Sequence, residues 1–259
     1  IFLRQILEAQ DVAQSGWNYT STSSYITASF WVKSSVAQNF YGYFRSNDGT
    51  GQRYAFETGS LTANTWTKVT KTVPGNSNLQ FDNDNGAGLE LVIGPFFPTD
   101  TTDSGVSLNT WGAYATGTRT PDYGTAMDDW YLTNDATFET TGVQLEVGSI
   151  ATDFEHRSFG QELALCQRYC VVDVTSRNWY NASGGNVYDY QLISWPTTMR
   201  ATPTITFGSN VEMTNVNTSG GVNGHGSAYV STSGWNYSPL SNATGNTTGR
   251  VNYTASAEI

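Results

Sequence analysis

The sequence predicts an all-β protein: a jelly-roll-type β-sandwich, a short helix, and then a second, smaller β-sandwich domain. Composition is the first reason. Charged residues make up only 13% of the chain and aromatic residues 14%, and Thr, Ser, Asn and Gly fill the spaces between Val, Ile, Tyr, Trp and Phe, which is the mixture of strands and turns. The second reason is repeated alternation of apolar and polar residues over short runs. The third is that each run ends in turn residues, at the spacing of a sandwich or jelly roll.

Taken in order, Tyr25–Lys33 alternates with period two and puts Ile26, Ala28, Phe30 and Val32 on one face of a half-buried strand. Phe40–Arg45 and Tyr54–Thr58 flank Ser46-Asn47-Asp48-Gly49-Thr50-Gly51. The Asp-Gly step there supplies the positive φ of a tight hairpin turn. Trp66–Val73 alternates again and stops at Pro74-Gly75, which does not continue a ladder. Leu89–Gly94 is more continuously apolar and reads as a central strand. Between Pro98 and Asn134 the chain loosens into a Thr-, Gly- and Asp-rich connection carrying Trp111, Tyr114, Tyr123, Trp130 and Tyr131; so long a connection is functional or folded over by its own aromatics. Ala136–Val147 closes the first domain.

The run Leu163-Ala164-Leu165-Cys166-Gln167-Arg168-Tyr169-Cys170 reads as a short helix with both cysteines, Cys166 and Cys170, on one face. Strand patterns resume at Val171–Val174, Tyr188–Ile193, Thr204–Phe207 and Ala228–Val230, with turns at Gly184-Gly185 and Gly220-Gly221. The expected organisation is therefore residues 1–157 as the first domain, 158–170 as a helical linker and 171–259 as a carboxy-terminal β-domain. Ser15-Gly16-Trp17-Asn18-Tyr19-Thr20 is echoed by Ser233-Gly234-Trp235-Asn236-Tyr237-Ser238, with no longer similarity around it, so the echo reads as coincidence.

Twelve Lys+Arg against 22 Asp+Glu give a formal charge of −10, which repels phosphate backbones and anionic lipid heads. Nucleic acid is excluded as an expected partner, and no apolar stretch approaches the roughly 18 residues of a membrane span. Two cysteines do not frame a disulfide scaffold, and neither His156 nor His225 stands at ligand spacing to them. The expectation is free thiols, no metal and no cofactor. No nucleophile elbow, zinc motif or phosphate-cradling loop is present, so the chain is expected not to be an enzyme. Pairs such as Asp128-Asp129, or Glu139 with Glu146, have the chemistry of a glycosidase, but spacing in sequence does not set their separation and they read as solvated loop acids. Phe81-Asp82-Asn83-Asp84-Asn85-Gly86 departs from a calcium loop in the position of its glycine and lacks the closing glutamate, so it reads as an Asn/Asp turn. Seven Asn-x-Ser/Thr triplets occur, as expected by chance in so biased a composition.

With 8 Trp and 15 Tyr, the chain holds more large amphipathic rings than one core needs, and such rings hold sugars by stacking. Trp17, Trp111, Tyr123 and Trp130 in the first domain, and Trp179, Tyr180, Tyr188, Trp235 and Tyr237 in the second, are the candidate carbohydrate-binding residues.

The segment Thr141-Gly142-Val143-Gln144-Leu145-Glu146-Val147-Gly148-Ser149-Ile150-Ala151-Thr152-Asp153-Phe154-Glu155-His156-Arg157-Ser158-Phe159, with Glu162–Tyr169 containing Cys166-Gln167-Arg168-Tyr169, closely resembles a signature of phage tail-fibre and related virion proteins of marine and cyanobacterial phages. Ile26–Lys33, Trp66–Gly75 and Val106–Thr120 are similar to the carbohydrate-binding-module-like jelly roll of that group. Trp195-Pro196-Thr197-Thr198-Met199-Arg200-Ala201-Thr202-Pro203-Thr204 resembles its distal-domain element, and Tyr253–Ile259 its usual ending. Cys170 stands where Tyr is usual. The resemblance implies a homotrimeric virion protein on the tail or capsid surface, contacting other virion proteins and host glycans, with further amino-terminal strands before Ile1. The alternatives are a capsid decoration or head-fibre protein that stabilises the shell, and a fibre-borne depolymerase.

Overall fold

The computed structural model describes residues 1–122, 128–184, 187–216, 227–241 and 243–258. They form two compact units, Ile1–Glu155 and His156–Glu258, and both are built almost entirely of strands.

The first unit begins with β1 (Leu3–Glu8) and the one-turn α1 (Ala9–Ala13), followed by β2 (Tyr25–Ser34), β3 (Asn39–Ser46), β4 (Gln52–Ser60), β5 (Thr67–Pro74) and β6 (Ala87–Gly94). Short pieces β7 (Thr102–Asp103), β8 (Trp111–Ala113), β9 (Thr120–Pro121) and α2 (Asp128–Leu132) punctuate the long connection, and β10 (Phe138–Val147) completes the unit. Two sheets result, ordered β1-β6-β3-β4-β8 and β10-β2-β5. Between them Ile26, Ala28, Phe30, Val32, Val69 and Val73 from one sheet meet Phe40, Phe44, Tyr54, Phe56, Leu89, Leu91 and Ile93 from the other. This is a β-sandwich, and its inward residues on β2 are the four that alternation assigns to the core. β6 lies inside its sheet between β1 and β3, which is why Leu89–Ile93 is buried on both faces. The β3–β4 hairpin turns through Gly49 at φ +60°, the left-handed conformation the Asp-Gly step provides.

The connection 98–122 does not lie loose. Phe97, Leu108 and Tyr114 pack with Tyr41, Tyr43 and Val92 on the outward face of the larger sheet. The Arg45 guanidinium sits 4.1 Å over the Tyr114 ring and 3.6 Å from the Glu90 carboxylate, and burial pushes the Tyr43 hydroxyl up to about 12. That face is thereby covered by the chain itself.

The second unit holds α3 (Phe159–Gln167), β11 (Cys170–Asn181), β12 (Val187–Tyr188), β13 (Gln191–Ser194), β14 (Thr204–Thr214), β15 (Ser227–Ala228), β16 (Gly234–Tyr237), β17 (Leu240–Ser241) and β18 (Gly245–Ser256). Sheets β11-β18-β14 and β13-β16-β15, with the β12-β17 ladder, enclose a core of Trp195, Met199, Trp235, Tyr237, Val251 and Tyr253. Three expectations need correction. Cys170 opens β11 instead of closing the helix, so the two cysteines do not share a helix face. Tyr188–Ile193 is broken at Asp189-Tyr190 into β12 and β13. The strand at Ala228 ends before Tyr229, whose φ is +51°. The central strand of the unit, β18, went unread because Gly245–Ser256 carries Asn, Thr and Gly in place of an apolar run.

The two segments that carry the phage resemblance are fastened by their own side chains. Gln144 donates to the Asp153 carbonyl at 3.3 Å and accepts the Glu155 N–H at 2.8 Å. The Glu146 carboxylate accepts the Thr152 N–H at 3.0 Å and its hydroxyl. These bonds fold residues 148–155 back onto β10 and hold the Glu146 carboxyl below the usual carboxylate range. Ser158 and Gln161 form a capping box at the start of α3. Met199, 1% exposed, plugs the second core, and Arg200 donates to the Ala257 carbonyl at 2.8 Å, tying down the end of the chain.

Candidate functional site

The nine predicted sugar-stacking residues separate by exposure. Trp17, Trp235 and Tyr237 are 3%, 0% and 0% exposed, so no ring face is open to a ligand and their expected role is corrected to core packing. Burial drives the Tyr237 hydroxyl far above its ordinary value. Trp17 borders a small pocket of about 80 Å³ with Leu7, Val12 and Ile26, well short of the roughly 300 Å³ at which ligand sites begin. Trp111 and Trp130 are half-buried and spend their indole N–H groups on the carbonyls of Pro74 at 2.7 Å and Thr137 at 3.0 Å. Trp111 tilts against Tyr54 at 5.4 Å. Both rings fasten the long connection to the sandwich. Tyr123 lies outside the described residues.

The remaining three, Trp179, Tyr180 and Tyr188, stand at one end of the second unit. On β11 and β18 the register pairs Asn178 with Thr248, Trp179 with Thr247 and Tyr180 with Asn246. Successive strand residues point to opposite faces, so Asn178, Tyr180, Asn246 and Thr248 share one face and Trp179 and Thr247 the other. Trp179 and Tyr180 therefore do not stack on the same ligand ring. On the inner face Asn181 donates to Ser241 at 3.0 Å, and Ser241 lies 3.0 Å from the Thr247 hydroxyl. Arg177 meets Asp189 at 2.5 Å, which anchors the exposed pair Tyr188 and Tyr190, whose centroids are 6.4 Å apart. The Trp179 indole N–H is buried there and has no acceptor among the described residues.

The outer face is open. A cleft of about 380 Å³ at this end of the β11–β18 ladder is lined by Asn178, Asn246 and Thr248 of that face together with Trp179 and Thr247, within the size range of ligand sites. Asn215 steadies its β18 wall, donating to the Asn246 carbonyl at 2.9 Å. Tyr180 stands beside the cleft at 65% exposure. Cross-strand and next-nearest positions on one face lie about 5 to 8 Å apart, so two amides, a hydroxyl and a phenol ring surround a footprint the size of a sugar ring. Such a set stacks an apolar ring face and exchanges hydrogen bonds with hydroxyls.

Two of the candidate carboxylates are engaged elsewhere. Glu139 pairs with Lys33 at 2.8 Å and Glu146 with Thr152. In the Asn/Asp turn, Asp84 accepts the Gly86 N–H at 2.9 Å and Asp48 the Asp82 N–H at 3.0 Å, the bonding expected of such a turn. Among the described residues no group of three or more His, Cys, Asp or Glu side chains is placed to hold a metal. Cys166 is exposed and Cys170 half-buried, and His225 lies outside the described residues.

Among the exposed rings outside the candidate set are Trp31, Trp66 and Tyr190. The signal for Trp31 was present, since it alternates with the inward Phe30 and Val32. Trp66 precedes its strand by one residue, and Tyr190 was read as part of one.

No family model matches the chain, and no curated protein matches it. Among solved structures, the chain is similar to native recombinant discoidin II of Dictyostelium discoideum, with TM-score 0.26 and 11% identity over 91% of this chain and 74% of that one. The wild-type discoidin II structure from the same organism gives 0.28 and 11%, over 91% and 73%. With so low a score and identity, what the chain does is read from its own residues.

Proposed function

We propose that this chain is a non-enzymatic structural protein of a bacteriophage particle, a tail-fibre or receptor-binding subunit that contacts glycans on the host surface. The observation that carries the glycan reading is the open cleft on the β11–β18 face, with Tyr180 exposed beside Asn178, Asn246 and Thr248. The virion assignment is supported by the resemblance of residues 141–169 and 195–204 to phage fibre proteins. A shallow, neutral cleft of this kind binds weakly, and identical chains in a homotrimer would raise the avidity by holding several contacts together.

Adsorption competition tests this reading. Purified protein in excess is expected to slow phage adsorption to host cells, and Tyr180→Ala to require roughly ten times more protein for the same effect, as the loss of one ring contact implies. The variant removes an exposed side chain, so its folding stability should stay within about 0.5 kcal/mol of the parent. Absence of competition at saturating protein would sink the receptor-binding role and favour a decorating subunit of the head shell.

A further inference from the structure

The outward face of the β10-β2-β5 sheet carries a second arrangement of rings. Register sets Thr141, Trp31 and Lys68 in one row across the three strands, and Glu139 and Lys33 in the next. Trp66 completes that second row: it adjoins Thr67, the partner of Val32, and the Lys33 ammonium lies 5.1 Å from its ring centroid. Trp31 and Trp66 are 42% and 41% exposed and stand diagonally, about 7 to 8 Å apart at that position. The backbone at Trp31 is fastened by the Thr140 hydroxyl, which donates to the Trp31 carbonyl at 3.0 Å, and Gly142, at φ +59°, passes close to the ring, where an added Cβ would lie 3.4 Å from Cδ1.

This face carries no excess of cations. Lys33 sits 2.8 Å from Glu139. Lys68 bears on Glu146, whose carboxyl is held mainly by Thr152 and Gln144. Two of the chain's three lysines thus face two carboxylates, in a protein of net charge −10. Two exposed indole rings with no excess of cations around them complement an uncharged sugar chain, whereas a uronate or sulfated chain would find no countercharge here and a repelling molecule beyond.

We propose that this face is a second glycan contact, which takes an uncharged sugar chain laid across Trp31 and Trp66. The proposal rests on the glycan-binding reading and adds a site and a ligand class to it. The test is calorimetric titration of the full chain, at low and high salt, with three probes: neutral hexose and N-acetylhexosamine oligosaccharides, uronate oligosaccharides and sulfated oligosaccharides. Binding to a neutral probe is expected to be unchanged by salt. It should weaken tenfold or more in Trp31→Ala and Trp66→Ala, recover in Trp66→Phe, and persist at this face in Tyr180→Ala; a thermal melt of each variant establishes folding. Binding only to uronate or sulfated probes, lost at high salt, overturns the ligand class. Neutral binding insensitive to both tryptophans but lost with Tyr180 overturns the second contact and leaves the β11–β18 cleft standing. Binding to none of the probes or to host-derived glycans overturns the glycan reading and this inference with it.

Discussion

Trp235→Ala is expected to destabilise the second unit by about 3–5 kcal/mol, the largest single effect in that half of the chain. The ring is fully buried, stacked on Trp195 at 6.2 Å and set against Tyr253 at 5.1 Å, Phe207 at 5.9 Å and Tyr237 at 6.0 Å. Truncation removes the keystone of this aromatic cluster, and rings on four sides collapse poorly into the space. Domains are stable by only about 5–15 kcal/mol, so a loss of this size populates the unfolded unit. Denaturant unfolding followed by tryptophan fluorescence checks it. Sequence reading placed Trp235 among the sugar-binding residues, and a variant that kept its stability while losing glycan binding would restore that assignment.

Phe30→Ala is expected to cost about 3–5 kcal/mol in the first unit, while Trp31→Ala, its neighbour, should cost well under half as much. Phe30 is 0% exposed and packs between the sheets, 6.5 Å from Phe56. Trp31 points the other way and keeps 42% of its surface in solvent. The contrast isolates strand alternation from composition, because two large rings one residue apart then have opposite consequences, one for folding and one for binding. Thermal melts of the two variants side by side measure it. Equal destabilisation would mean that the outward face of β2 is covered in solution.

Alternation is also what made the first unit legible. Ile26, Ala28, Phe30 and Val32 could be assigned inward from spacing alone, and the Asp48-Gly49 step announced its hairpin, because period-two burial and a left-handed glycine are local properties. What decides a ring's exposure is not local. Trp17 and Trp235 sit in the same Ser-Gly-Trp-Asn-Tyr setting near turns, which suggested surface, yet each is buried by strands distant in sequence. Tyr180 reads no differently from Tyr237 in its immediate surroundings; only its place on the outer face of β11, opposite Asn246, leaves it open. β18 was invisible for the complementary reason. Its outward positions Asn246, Thr248, Asn252 and Thr254 are polar, and its inward ones include Gly249 and Ala255, so the period-two signal is faint although the strand is central. Residues 141–169 and 195–204 serve the fold more than a site: Gln144, Glu146, Ser158, Met199 and Arg200 are spent on folding back a segment, capping a helix, filling a core and fastening residues 257–258.

Glycan binding on the β11–β18 face is checked by determining the structure of the full chain soaked with oligosaccharides released from the host surface. Sugar density stacked on Tyr180 and within hydrogen-bond distance of Asn178, Asn246 or Thr248 is the expected result. Sugar found only elsewhere on the molecule, with this cleft empty at saturating ligand, would contradict it.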